Sequence, residues 1–170
     1  MAQFFADREI ESQPEIWGQV AKFGPSVYSL LPKIGEKVAV VGCGSSWFMA
    51  MSYASLRENL GHGLTDVFVA SEFNFNRNYD RVLAITRSGT TTEVLDVLEK
   101  VEVPSVVVTA IHDSPASKLS SESIVMDFAD EKSVLQTRWA TSVLALLRSH
   151  FGLNIQSIIR SEEHTSELQS

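Results

Sequence analysis

Two short segments concentrate residues able to hold an anion. Gly42-Cys43-Gly44-Ser45-Ser46 follows the apolar run Val38–Val41, and Thr86-Arg87-Ser88-Gly89-Thr90-Thr91 follows Val82–Ile85. Glycine lets the backbone approach a ligand closely, and the first turn of a helix presents N–H groups without intrahelical partners. Serine and threonine hydroxyls add donors without bulk. Thr86, Ser88, Thr90 and Thr91 place four hydroxyls within six residues, where a helix cap needs one. Ser45, Ser46, Thr86, Arg87, Ser88, Thr90 and Thr91 are therefore candidate phosphate ligands. Each loop alone also admits reading as a capped tight turn, and Arg87 as either a ligand charge or a solvated side chain.

Glu131-Lys132-Ser133-Val134 is a third candidate, because it opens a long helical pattern after a strand-like run. Glu131 and Ser133 there either meet a ligand or serve the helix N-terminus. Other chemistries fit poorly. The third glycine of a dinucleotide fingerprint would fall on Trp47, and no Gly-Lys-Ser/Thr follows the first loop. Cys43 has no evident paired base, so it reads as a small turn residue. His62, His112 and His150 lack metal-ligand spacing, and neither a metal nor a cofactor is expected.

The elements that must carry these loops follow from apolar spacing. Strands are predicted at Val38–Val41, Asp66–Ala70, Val82–Thr86, Ser105–Thr109 and Ser123–Phe128. They are short, rich in valine and isoleucine, and mostly not alternating, as in strands covered on both faces. Helices are predicted at Asp7–Phe23 (with Pro14 starting a second segment), Ser46–Leu60, Thr91–Val101, Pro115–Leu119 and Ser133–Phe151. The face of Ser46–Leu60 is set by Trp47, Ala50, Met51, Ala54 and Leu56. Thr90 with Glu93 offers a capping box. The second half of Ser133–Phe151 is apolar nearly all round, so it is either deeply buried or an interface.

Alternating strands and helices imply an α/β fold, a three-layer α/β/α sandwich around a five-stranded parallel sheet. With strand order 2-1-3-4-5, a flavodoxin-like arrangement, the two hydroxyl-rich loops leave the strands that flank the switch point, where such sheets bind ligands.

The bulk numbers narrow the classes. The chain has 170 residues and a net charge of −7, which argues against a nucleic-acid partner. No apolar run approaches the roughly 20 residues that span a bilayer, so no membrane partner is expected. An acidic start and a single cysteine fit a cytoplasmic setting. Residues 1–35 are expected to be a helical segment packing on a domain at 36–155. Residues 156–159 are read as the start of a truncated continuation, and 160–170 as translated sequencing adapter.

Glu11-Ser12-Gln13-Pro14, Gly42-Cys43-Gly44-Ser45-Ser46, Ser88-Gly89-Thr90-Thr91 and Glu131-Lys132-Ser133-Val134 with Thr137 occur in the order seen in a known family. From residue 8 to about 155 the chain resembles the first sugar isomerase (SIS) domain of two-domain phosphosugar isomerases. That group includes the isomerase half of glucosamine-fructose-6-phosphate aminotransferase and the tagatose-6-phosphate ketose/aldose isomerase type. The resemblance implies that Ser46, Thr86, Arg87, Ser88 and Thr91 bind the phosphate of a hexose or amino-hexose 6-phosphate. It also implies that Val134 touches the sugar through its backbone, with Glu131 on the same wall. Arg87 stands where the aminotransferase branch has glutamine. The proton-shuttling carboxylate and a ring-opening histidine belong, in this family, to the second domain. No catalytic residue is therefore expected in this chain.

The implied whole is an aldose–ketose isomerase or an amino-sugar-phosphate deaminase, homodimeric through its sugar isomerase domains. The alternatives are a non-catalytic phosphosugar sensor, and a domain that mainly forms a dimer interface through Ser133–Phe151.

Overall fold

The computed structural model describes residues 5–157 and 159. The expectations for residues 1–4 and 160–170 lie outside them. The chain divides into two compact units, Ser29–Asp127 and a second built from both chain ends, up to Tyr28 and from Phe128 onward.

The first unit holds the sheet. Its strands are β1 (Val38–Gly42), β2 (Thr65–Val69), β3 (Arg81–Ile85), β4 (Ser105–Thr109) and β5 (Glu122–Val125). All pairs are parallel, in the order β2-β1-β3-β4-β5. This is the expected α/β fold and strand order. β1 and β4 are buried along their whole length, which explains their unbroken valine runs; the edge strands β2 and β5 are only partly covered. Every strand end lies within three residues of the predicted one, and β4 matches at both ends.

Helix α3 (Ser45–Asn59) follows β1, α4 (Thr92–Lys100) follows β3, and α5 (Pro115–Leu119) follows β4. Ala39 and Val41 of β1, Val82 and Ala84 of β3 and Val107 of β4 form one core with Val94, Val97 and Leu98 of α4 and Ala116 of α5. Right-handed crossovers put α3 on the opposite face, against β1 and β2.

The predicted inner face of α3 needs correction. Ser46, Ala50, Tyr53, Ala54 and Arg57 are buried, whereas Met51 is exposed. The apolar residues misled because two inward positions are a tyrosine and an arginine. Arg57, at 0% exposure, donates to the carbonyls of Lys33 (2.5 Å), Glu36 (2.9 Å) and Gly63 (3.1 Å) and to the Thr65 hydroxyl (2.9 Å). It ties the segment before β1 to the turn before β2.

The second unit comprises α1 (Phe5–Glu11), α2 (Gln13–Phe23) and α6 (Arg138–His150). The predicted N-terminal helix is interrupted at Ser12, and Pro14 lies in the first turn of α2. Val20 of α2 and Trp139, Val143, Leu146 and Leu147 of α6 are fully buried. Trp17 donates its indole N–H to the Thr141 hydroxyl at 3.1 Å, across the α2–α6 contact. Helix α6 starts at Arg138 rather than Ser133, because Glu131 caps it there, as described below. Among the described residues, no helix is long and apolar enough to cross a membrane.

Candidate functional site

The first loop is shaped by two glycines. A Cβ on Gly42 would lie 2.9 Å from the Ser46 carbonyl carbon and 3.0 Å from the Trp47 nitrogen, so the first turn of α3 folds tightly over the end of β1. Gly44 sits at φ 56°, ψ −128° immediately before the helix. The Ser46 and Trp47 N–H groups already bond to the carbonyls of Cys43 and Gly44. Ser45 is half-buried and Ser46 only 3% exposed, so Ser45 is the more accessible of the two hydroxyls.

The second loop holds its hydroxyls in two pairs. Thr86 Oγ1 and Thr91 Oγ1 are 3.1 Å apart. Ser88 Oγ accepts from both the Thr90 N–H (3.3 Å) and the Thr90 hydroxyl (2.9 Å). Thr91 is the N-cap of α4 but makes no side-chain cap bond, so the predicted Thr90–Glu93 box does not form. The bond to Thr86 competes for that hydroxyl. Arg87 is half-buried.

The register aligns Gly42 with Ile85, so both loops leave adjacent parallel strands at the same level. From β1 the chain moves outward to β2; from β3 it moves the other way to β4. Ser45, Ser46, Thr86, Arg87, Ser88, Thr90 and Thr91 thus share the carboxyl edge of the sheet at its switch point. Cys43 lies there too. Burial pushes its thiol up from the ordinary cysteine value; a hydrogen bond from the Ala70 backbone opposes this, and the nearby Glu93 carboxylate adds to it. A thiol held protonated is a poor nucleophile.

Glu131, Ser133 and Val134 belong to the helical unit. Glu131 is buried, and its carboxylate accepts from the Thr137 N–H (3.0 Å), the Thr137 hydroxyl (3.0 Å) and the Arg138 N–H (3.0 Å). That is the helix-capping arrangement, with a negative charge at the positive end of α6. Ser133 donates its N–H to the buried Glu9 at 3.3 Å, beside the Lys132 N–H at 2.6 Å. Burial works to raise the Glu9 carboxyl. The hydrogen bonds from Ser133 and from the Lys132 and Ser133 backbone, with the charge of Arg138, outweigh it and leave the group below the usual glutamate range. Val134 is 97% exposed on this loop.

Glu9 was not legible as a partner of this loop, because its contacts lie 123 and 124 residues away. Thr109 and Ser114, which back the second hydroxyl-rich loop, were likewise missed. Two cavities lie elsewhere: one of about 330 Å³ beside Phe73, Phe75 and Val101, and one of about 170 Å³ beside Trp17, Leu144 and Ile155. Neither is lined by the loop residues, and no His/Cys/Asp/Glu cluster able to hold a metal occurs among the described residues.

A doubly wound parallel sheet with two glycine- and hydroxyl-rich loops at its switch point defines a ligand-binding α/β domain. The profile of the SIS domain family matches residues 33–151, well over half of the sequence, and the chain belongs to that family. It is 26% identical over 159 residues to the isomerizing glutamine–fructose-6-phosphate aminotransferase of Lactiplantibacillus plantarum, covering 84% of this chain and 26% of that protein. Its fold matches tagatose-6-phosphate ketose/aldose isomerase from Escherichia coli with a TM-score of 0.82 at 16% identity, covering 97% of this chain and 54% of the other. It also matches the Vibrio vulnificus NanR protein, solved with ManNAc-6P, with a TM-score of 0.65 at 21% identity, covering 98% of this chain and 69% of that one. The chain thus spans about a quarter of the aminotransferase and about half of the isomerase.

Proposed function

We propose that this domain binds a hexose or amino-hexose 6-phosphate, as the phosphate-holding part of an aldose–ketose isomerase or an amino-sugar-phosphate deaminase. The observation that carries the reading is the pair of hydroxyl-rich loops leaving β1 and β3 at one level of the sheet edge. In this reading Ser45, Ser46, Thr86, Arg87, Ser88, Thr90 and Thr91 hold the phosphate. By resemblance, Glu131, Ser133 and Val134 serve the sugar. The exposure of Val134 fits that role, whereas the carboxylate of Glu131 is committed to capping α6.

The clamp's contribution is positional: it holds the sugar so that a general base can move a proton between C1 and C2 through an enediol. That base is assigned to a second domain. The reading includes a cytoplasmic, homodimeric protein. The second reading is a non-catalytic phosphosugar sensor; the fold match to NanR, solved with ManNAc-6P, supports phosphosugar binding under either reading.

The test is calorimetric titration with fructose 6-phosphate and with fructose. The phosphorylated sugar should bind far better, and Ser46→Ala and Ser88→Ala should each weaken it about 10- to 100-fold, the value of a hydrogen bond to a charged group. Thermal stability should change little. Equal binding of both sugars by the wild type would sink the clamp.

A further inference from the structure

The second loop is held from behind by the last residue of β4 and the segment that follows it. The Arg87 carbonyl accepts from the Ala110 N–H at 3.0 Å and from the Thr109 hydroxyl at 3.0 Å. The Gly89 carbonyl accepts from the Ala116 N–H at 3.0 Å. A trans peptide points its carbonyl and its following N–H in opposite directions. Pinning the Arg87 carbonyl toward β4 therefore turns the Ser88 N–H away from β4; the Gly89 carbonyl is pinned toward α5, and the Thr90 N–H on its far side donates to Ser88 Oγ at 3.3 Å. Gly89, at φ 64°, lies between them, and successive N–H groups around a left-handed residue form a concavity suited to an anion.

Thr109 is the side chain in this arrangement that touches no ligand position. It is 0% exposed, and its hydroxyl also accepts from the Ile111 N–H at 3.3 Å. The Arg87 carbonyl already has the Ala110 bond, so the Thr109 hydroxyl is not rescuing a stranded acceptor. A second donor from a different direction restrains the rotation of that peptide plane instead.

We propose that Thr109 is a positioning residue for phosphate-monoester binding, its buried hydroxyl setting the peptide plane that aims the Ser88 N–H at the anion. The inference rests on the phosphate-clamp reading given above.

The test uses the full chain and two probes, inorganic phosphate and fructose 6-phosphate, followed by calorimetry and by amide chemical shifts. Thr109→Val removes the hydroxyl with little change of volume; Thr109→Ser keeps it. T109V should bind both probes about tenfold more weakly. It should also lose the ligand-induced shift of the Ser88 amide while the Ser46 amide still responds. T109S should bind as the wild type does. Unchanged affinity in T109V, with wild-type binding intact, overturns the positioning role and leaves the clamp standing. Failure of the wild type to bind either probe overturns the clamp itself. Equal losses in T109V and T109S, or a joint loss of the Ser46 and Ser88 responses, would make Thr109 a packing residue and refute the proposal. If T109V does not fold, Thr109→Ala takes its place; failure of both to fold also overturns the proposal.

Discussion

Replacing Arg57 with methionine should cost this protein a large share of its stability. The side chain has no exposed surface, and four of its bonds end on the Lys33, Glu36 and Gly63 carbonyls and the Thr65 hydroxyl. Methionine fills most of the volume but donates nothing. Leaving a buried acceptor unmet costs about 1–3 kcal/mol, and the Glu36 carbonyl is the one at stake; the Lys33 carbonyl keeps the Glu36 N–H at 3.3 Å and the Gly63 carbonyl keeps the Thr65 hydroxyl at 3.2 Å. Lys33 is exposed and Glu36 and Gly63 are half-buried, so water can recover part of that loss. The net expectation is a destabilisation of about 2–4 kcal/mol, from one unmet acceptor and the loss of the bonds at the other three. For a domain of this size each kcal/mol lowers the melting midpoint by about 2–4 °C. Arg57→Lys keeps the charge but cannot span acceptors on both sides, so it should fall between methionine and the wild type. Urea unfolding read by far-UV circular dichroism measures all three, and an unchanged denaturant slope keeps the comparison one of stability. A methionine variant within about 1 kcal/mol of wild type would refute the reasoning. The staple would then contribute specificity rather than stability.

Two further outcomes are expected. Gly89→Ala puts a Cβ 2.3 Å from Ser114 Oγ at a φ of +64°, so thermal melting should show a loss of at least about 1–2 kcal/mol. Measured against Ser114→Gly alone, which loses the Ser114 cap on the Ser117 N–H, Gly89→Ala should cost less than it does in the wild type, and an equal cost would mean that backbone strain alone is responsible. Glu9 is held below the ordinary glutamate value of 4.5, so its contribution is present above that value and is lost as pH falls through its lower native value. Stability of the wild type should therefore drop more steeply than that of Glu9→Gln on acidification below about pH 5. Parallel curves would show that Glu9 titrates alike in the folded and unfolded chain.

Some of this architecture was plain in the residues. The valine runs of β1 and β4 could only be strands covered on both sides, and the hydroxyl surplus after β3 marked a loop with more donors than a cap requires. Other parts were hidden for physical reasons. Leu135 falls in helical register with Trp139 and Val143, which drew the start of α6 too early. The Glu131 carboxylate instead caps at Thr137 and Arg138, and Val134 and Leu135 stay in water at 97% and 77% exposure. The inner face of α3 was misread because an arginine whose two terminal nitrogens are bonded to backbone carbonyls and a hydroxyl packs there as a core residue would. The candidate site divides in the same way. Its hydroxyls are local and legible. Thr109, 22 residues from Arg87, and Glu9, more than a hundred from Lys132, act through contacts that only the folded chain brings about.

The helical unit has a consequence for how the chain is made. Its two halves are separated by the whole of Ser29–Asp127, which carries all five strands. On the ribosome, α1 and α2 emerge before the sheet, and α6, which packs against α2, is made more than a hundred residues later. At about 5–20 residues per second, that is a wait of roughly 6–25 seconds. Throughout it an amphipathic helix pair has no partner from its own unit, while the sheet is already being synthesised and can fold. Synthesis order thus gives the sheet a head start and leaves the N-terminal helices as the segment most in need of protection before release.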